Sequence, residues 1–233
     1  MRRNLMVAAA AGIVAIALVG VGGYVYFFSS LRSSPAALGL SASPLPTASS
    51  GLAGTWTVTT GSLAGYRVQE LFVGDPSKHV AVARTSNVSG GLTVSGDASG
   101  YRVSAITLTV DVSSLQSVDQ VVGRNVTQRD GVVSRQLDVQ QFPNATFTAT
   151  SASIPGTVTT SHADVTVAGK LSIHGVTKEV TVSAKAQAAG DKIEIAGTMA
   201  INMADYGVTP PRAPFVTVDP AATIDFDVFL IRT

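Results

Sequence analysis

No cysteine occurs among the 233 residues. That absence excludes disulfides, thiolate nucleophiles, cysteine-ligated metals and a lipid-modified N-terminal cysteine, and it leaves the redox compartment unmarked. Charge is scarce as well. Only 13% of residues are charged and the formal net charge is +1, so no basic face favours nucleic acid and no polybasic patch favours an anionic surface. The three histidines, His79, His162 and His174, are far apart and have no acidic neighbours at metal-ligand spacing. They read as turn or surface residues, with His174 in a glycine-bounded turn. Phosphate-cradling glycine loops and carboxylate pairs of the glycosidase kind are missing. Ser62, in Gly61-Ser62-Leu63-Ala64-Gly65, lacks nucleophile-elbow spacing and reads as a turn serine. No nucleophile, acid–base pair, metal set or cofactor motif is visible, so the expectation is a protein without catalysis.

What the chain has is aliphatic alternation. In Ile193 to Met203 the apolar residues Ile193, Ile195, Met199, Ile201 and Met203 recur in phase with Gly197, the period of a strand with one apolar face. Further strand-like stretches are Thr55–Thr60, Tyr66–Phe72, Val80–Ser86, Gly91–Ser95, Ser104–Ser113, Ala145–Ser153, Asp164–Ile173, Glu179–Gln187 and Thr223–Ile231. Turn signals such as Gly96-Asp97 and Gly190-Asp191 separate them. No long helices intervene, which argues for an antiparallel all-β meander over βαβ units. Between Leu115 and Arg129, Val118, Val121, Val122 and Val126 fall at helical spacing, and Val132 to Val139 adds another turn or two, so one or two short helices are expected mid-chain. Periodicity alone fits an up-and-down barrel and a two-sheet sandwich equally well.

The N-terminal quarter is different. Arg2 and Arg3 precede Leu5 to Phe28, an uncharged apolar run long enough to cross a bilayer core of about 30 Å. The run exceeds the ~7–15 residues of a signal-peptide h-region and closes on Tyr24, Tyr26, Phe27 and Phe28, which favours an uncleaved transmembrane anchor over a cleaved signal. Residues 1–28 are therefore expected to anchor the chain, with the arginines cytoplasmic and the remainder extracytoplasmic, on the cell-surface or periplasmic side; cleavage would make the protein secreted. Residues 29–54, rich in Ser, Ala, Pro and Gly, read as a flexible linker, and residues 55–233 as one β domain.

Particular residues add what the period cannot. Trp56-Thr57-Val58, Gly65-Tyr66-Arg67-Val68-Gln69-Glu70, Arg129-Asp130, Gln141-Phe142-Pro143-Asn144-Ala145-Thr146-Phe147, Gly169-Lys170-Leu171-Ser172-Ile173-His174-Gly175-Val176-Thr177-Lys178 and Asn202-Met203-Ala204-Asp205-Tyr206-Gly207-Val208 follow one another in an order that resembles the YceI-like family. The resemblance covers nearly all of Trp56 to Ile231. It implies an extended lipocalin-like antiparallel β-barrel whose apolar lumen holds a long isoprenoid or other lipid, in exported bacterial proteins. Two departures bear on the ligand's polar end. The family often carries a His before the serine of its first turn, where this chain has Thr60-Gly61-Ser62, and Met203 stands where it usually has Arg.

On this basis the residues expected at the lumen are Tyr66, Val68, Val110, Phe147, Val167, Leu171, Ile195, Met199, Ile201, Tyr206, Phe226 and Val228, because a one-residue slip would bury Thr and Asp instead. Glu70 is in phase near one end, and Tyr206 is expected at a mouth. Gly169, Ala184, Ala186 and Gly197 are small inward residues that would leave volume for a chain-like ligand. Arg129-Asp130 reads as a loop-fixing ion pair. The competing reading is a structural or protein-interaction module with a dry core, raised by the proline-rich segment Thr209-Pro210-Pro211-Arg212-Ala213-Pro214. The oligomeric state has no signature.

Overall fold

The computed structural model describes residues 13–24, 32–41, 51–75, 77–97, 99–121, 123–189 and 191–233. In chain order the elements are helix α1 (residues 13–24), then β1 (Arg32–Ser33), β2 (Gly54–Val58), β3 (Leu63–Phe72), β4 (His79–Thr85), β5 (Val88–Asp97), β6 (Gly100–Asp111), β7 (Gln116–Ser117) and β8 (Gln120–Val121). Helix α2 (Gln128–Gln136) follows, and then β9 (Asn144–Pro155), β10 (Ala163–Ile173), β11 (Val176–Ala189), β12 (Lys192–Asn202), β13 (Arg212–Ala213) and β14 (Val216–Arg232).

The long strands pair antiparallel in the order β12-β11-β10-β9-β6-β5-β2-β14, and β14 pairs again with β12, which closes a barrel. Closure decides between the two architectures that the period left open, and it removes the free sheet edges of a sandwich. Strand β14 makes it possible because it is seventeen residues long. One of its edges runs against the whole of β12 from Lys192 to Asn202. Its other edge takes β3 along its first part and β2 at its end. Strands β2 and β3 are thus two pieces of one line, broken at the turn where the Ser62 hydroxyl donates to Thr59 O and accepts from the Phe229 N–H. Strands β4 and β5 are likewise one line, so eight antiparallel lines surround the lumen.

Register carries the apolar phase around the wall. Ile195 faces Val228, Gly197 faces Phe226 and Met199 faces Ile224 across β12 and β14, while Val167 faces Val182 and Leu171 faces Phe147 on either side of β10. In β6 the apolar residues change parity between Val103 and Ile106. Ala105 absorbs the extra residue with φ 50°, a left-handed kink that keeps both side chains inward.

The helix expected over Leu115 to Arg129 does not form there. Gln116–Ser117 pairs with β4 and Gln120–Val121 pairs with β1; Val122 lies outside the described residues. β-Branched residues suit extended backbone, and strand partners were at hand. Helix α2 starts only at Gln128, after the Asn125 side chain closes a turn on the Thr127 N–H at 3.1 Å. It ends with Asp138 in the left-handed region (φ 44°), the Asp138 N–H donating to Arg135 O and the Val139 N–H to Ser134 O, the Schellman pattern.

Helix α1 covers part of the apolar run Leu5 to Phe28. Among the described residues, no helix is long and apolar enough to cross a membrane, and the rest of the run lies outside them.

The flexible linker expected from Ser29 to Gly54 is, over residues 32–41, a strap fastened across the outer wall. The Ser34 hydroxyl donates to Val80 O, Arg67 to Pro35 O and Arg84 to Ala36 O. The Leu38 N–H donates to Asp225, and the Ser41 N–H and hydroxyl donate to Glu194. Contacts made by the strap's backbone leave no side-chain period, which is why composition suggested a tether. Beneath the strap Glu194 and Asp225 have no solvent exposure. Beside them, burial and the hydrogen-bonded Glu194 carboxylate push Asp227 up to about 7 from an ordinary 3.8.

Between those two values the folded chain holds a proton that the unfolded chain has released, so this group lowers stability as pH rises from 3.8 to about 7. Asp227→Asn is expected to raise the melting temperature at pH 8 and to change it little at pH 4. Thermal melts at the two pH values test this, and an equal shift at both would refute it.

Candidate functional site

Among the described residues the strands enclose a cavity of about 270 Å³. Tyr66, Val68, Val110, Phe147, Val167, Leu171, Ile195, Met199, Ile201, Tyr206, Phe226 and Val228 all stand on its wall. The structure thus places the twelve residues expected at the lumen along one cavity. Aliphatic side chains make up most of the remaining surface, Leu92, Val103, Ile154 and Val165 toward one end and Ile173, Val182 and Ala222 toward the other.

Two of the four small inward residues act otherwise than expected. A Cβ on Gly169 would meet the Phe147 ring at 2.6 Å, and one on Gly197 would meet the Phe226 ring at 2.9 Å. The glycines leave room for phenyl rings that lie against the backbone, and the rings form the wall. Ala184 and Ala186 do border the open volume.

The ends differ in chemistry. At one, Trp56 is fully buried, its indole N–H donating to Leu52 O at 2.9 Å, with Leu52, Tyr101, Val158 and Leu230 packed around it. At the other, α2 lies over the opening and presents Arg129, Val133, Gln136 and Leu137 to the cavity, the i, i+4, i+7, i+8 face of a helix. The Arg129 Nε is 2.7 Å from Glu70 Oε1, and its Nη1 is 2.7 Å from Asp119 Oδ1. Asp119 also accepts from the Val82 N–H at 3.0 Å and from His79 Nε2 at 2.7 Å. One guanidinium therefore serves two carboxylates, and they divide it unequally. Burial pushes Glu70 above its ordinary value against the pull of Arg129. Burial also works to raise Asp119, yet the hydrogen bonds from His79, Arg129 and Val82 hold it far below the usual range. Burial raises the Tyr66 phenol well above its ordinary value in the same neighbourhood, against the opposing field of Arg129.

Several expectations are corrected here. Arg129 and Asp130 do not pair with each other. Arg129 turns inward, whereas Asp130 accepts from the Ser117 N–H at 2.9 Å and so fastens β7 to α2. His79 is neither a turn nor a surface residue but a buried partner of Asp119. His174 occupies the expected turn with φ 51°, its Nδ1 3.1 Å from Tyr206 O. Tyr206 is buried among Leu171, Val182 and Met199, not placed at an open mouth, and burial beside Asp205 raises its phenol. In the proline-rich segment, Pro211 joins the lumen wall and Arg212-Ala213 forms a short ladder with β14.

Reasoning from the sequence missed Arg129, Asp119 and His79. A signal was present. Glu70 continues the inward phase of Tyr66 and Val68, and a buried carboxylate requires a cationic or hydrogen-bonding partner.

The pattern that defines the YceI-like domain matches residues 57–230. A UPF0312 protein of Pseudomonas putida strain F1 is 33% identical over 133 residues, which is 54% of this chain and 63% of that protein. A UPF0312 protein of Pseudomonas syringae pv. tomato is 31% identical over 141 residues, 57% of this chain and 67% of that protein. The chain thus spans somewhat under two thirds of the first relative's length. Among solved structures, a polyisoprenoid binding domain from Saccharophagus degradans implicated in plant cell wall breakdown aligns with a TM-score of 0.52 at 17% identity, covering 78% of this chain and 99% of that one. At that identity the likeness is one of fold.

Proposed function

The chain belongs to the YceI-like domain family, and from that premise we propose that its lumen binds and carries a long apolar lipid of isoprenoid type. The observation that carries this reading is the cavity itself, about 270 Å³ walled by aliphatic and phenyl groups from both halves of the barrel. A core meant to stay dry gains nothing from that void, because unfilled volume forfeits dispersion contacts. Volumes that hold drug-sized ligands begin at about 300 Å³, so a slender chain suits this one better than a bulky ring system. Each buried methylene contributes about 0.8 kcal/mol, which makes affinity grow with chain length. The Saccharophagus degradans domain of similar fold is described as polyisoprenoid binding, in keeping with such a ligand.

The reading includes no catalysis. Among the described residues lining the lumen, the charged groups are Glu70 and Arg129, and they are hydrogen-bonded to each other. It also includes a location. The uncharged run Leu5 to Phe28 inserts in a membrane with Arg2 and Arg3 on the cytoplasmic side, and the barrel stands on the other side.

Organic extraction of protein purified from its native host, followed by mass spectrometry, is expected to release a near-stoichiometric isoprenoid lipid. A lipid-free protein whose lumen is filled by its own side chains would refute the binding function.

A further inference from the structure

We propose that the end of the barrel bearing Val73 and Phe215 touches the bilayer, so that the lumen meets the membrane end-on at its Arg129 end; this rests on the membrane insertion proposed above.

The strap changes what the N-terminal sequence can do. A free linker from Ser29 to Gly54 would let the domain turn in any orientation. Instead the folded unit already includes Arg32, whose backbone pairs with Val121. Eight residues' advance separates that point from residue 24, the last described residue of α1, a reach of at most about 29 Å. Whatever face adjoins Arg32 is thereby held within that distance of the apolar run.

The contacts beyond Val121 identify the face. Three residues on, the Arg124 guanidinium lies 4.1 Å above the Phe72 ring and 3.6 Å from Asp75. Phe72 precedes Val73, whose N–H donates to Phe215 O at 2.9 Å. Val73 is 70% exposed and Phe215 60% exposed, with Leu71, 38% exposed, two residues before Val73 on the same outward phase. Among the described residues of the barrel, Val73 and Phe215 are the most exposed large apolar side chains, ahead of Val118 at 42%, and with Leu71 they fall at the same end as Glu70 and Arg129. Ile231, also 38% exposed, marks the opposite end beside Thr57. An aromatic ring beside aliphatic groups, with the exposed Arg212 three residues before Phe215, suits the headgroup boundary of a bilayer, where phenyl and aliphatic groups bury and cationic side chains reach phosphates. Charge does not dominate the surface, because Lys78 is paired with Asp219 at 2.6 Å.

The sole tryptophan of the chain, Trp56, is fully buried, so a tryptophan introduced at the surface reports its own surroundings. The full chain carrying Phe215→Trp, and separately Ile231→Trp, is to be reconstituted with phosphatidylcholine vesicles containing lipid brominated near the headgroup end of its chains. The Phe215→Trp protein is expected to lose most of its added emission and to shift to the blue, and the Ile231→Trp protein to do neither. Equal quenching of the two, or quenching of neither in protein that sediments with the vesicles, would overturn the end-on contact while leaving the anchor intact. A chain that remains in the supernatant would overturn the anchor and this inference together.

Discussion

Replacing Met199 by Trp is expected to expel lipid from the lumen while the barrel still folds. Met199 stands opposite Ile224 and packs with Leu171, Val182 and Tyr206, so an indole there extends into the volume that a chain must thread. Displacing about three methylenes of ligand at about 0.8 kcal/mol each removes about 2.4 kcal/mol, roughly a fifty-fold loss of affinity. The protein bears an overpacking cost of ~1–3 kcal/mol, less where the void absorbs the new atoms. Val167→Trp, two strands away and opposite Val182, should act alike. Ala200→Trp, the next residue along β12 and exposed on the outer face, should leave occupancy unchanged. Lipid-to-protein ratios from extraction, with circular dichroism to report folding, separate the outcomes. Full occupancy in both inward variants would show that the lumen is not where lipid resides.

That experiment is possible because the inward phase was legible in the sequence. Side chains alternate strictly along a strand, so Ile195, Met199 and Ile201 commit β12 to one face, and ladder pairing transmits the choice to Phe226, Val228, Val182 and Val167. Even the bulge at Ala105 leaves a trace, since the apolar parity of Val103 and of Ile106 can be reconciled only by one extra residue. Other features left no period. The strap binds through its backbone and through hydroxyls, and the acids it covers, Glu194 and Asp225, occupy outward positions where charge is ordinary. Helix α2 is short and carries Gly131 near its middle, so the valines before it suggested a helix more strongly than its own residues did. Gly169 and Gly197 looked like vacancies, because sequence does not say which neighbouring ring will lie over a glycine.

Loss of Arg129 is expected to destabilise the protein more than any lumen substitution. Its guanidinium is the cation that Glu70 and Asp119 share, and both carboxylates are buried. Breaking a buried pair leaves an uncompensated charge and costs about 3–5 kcal/mol, and here two carboxylates lose their partner. Arg129→Ala should therefore lower the urea midpoint sharply at pH 7. The pH dependence gives the cause. In the native protein Asp119 is held below its ordinary value, so its contribution is complete above that value and is lost as pH falls. Without Arg129 both carboxylates are desolvated with less to oppose it and their affinities for protons rise, so the variant regains stability as acid neutralises them. The deficit relative to the native protein should be largest near neutrality and narrow toward pH 4. Arg129→Lys restores the charge but not the fork that spans two carboxylates, and should fall between the two. Adding Glu70→Gln to Arg129→Ala removes one stranded charge and should recover part of the loss, a coupling that a double-mutant cycle measures directly. A deficit that stays constant from pH 4 to pH 8 would mean that Arg129 contributes by filling the end of the lumen, and that its charge is not what holds α2 over the opening.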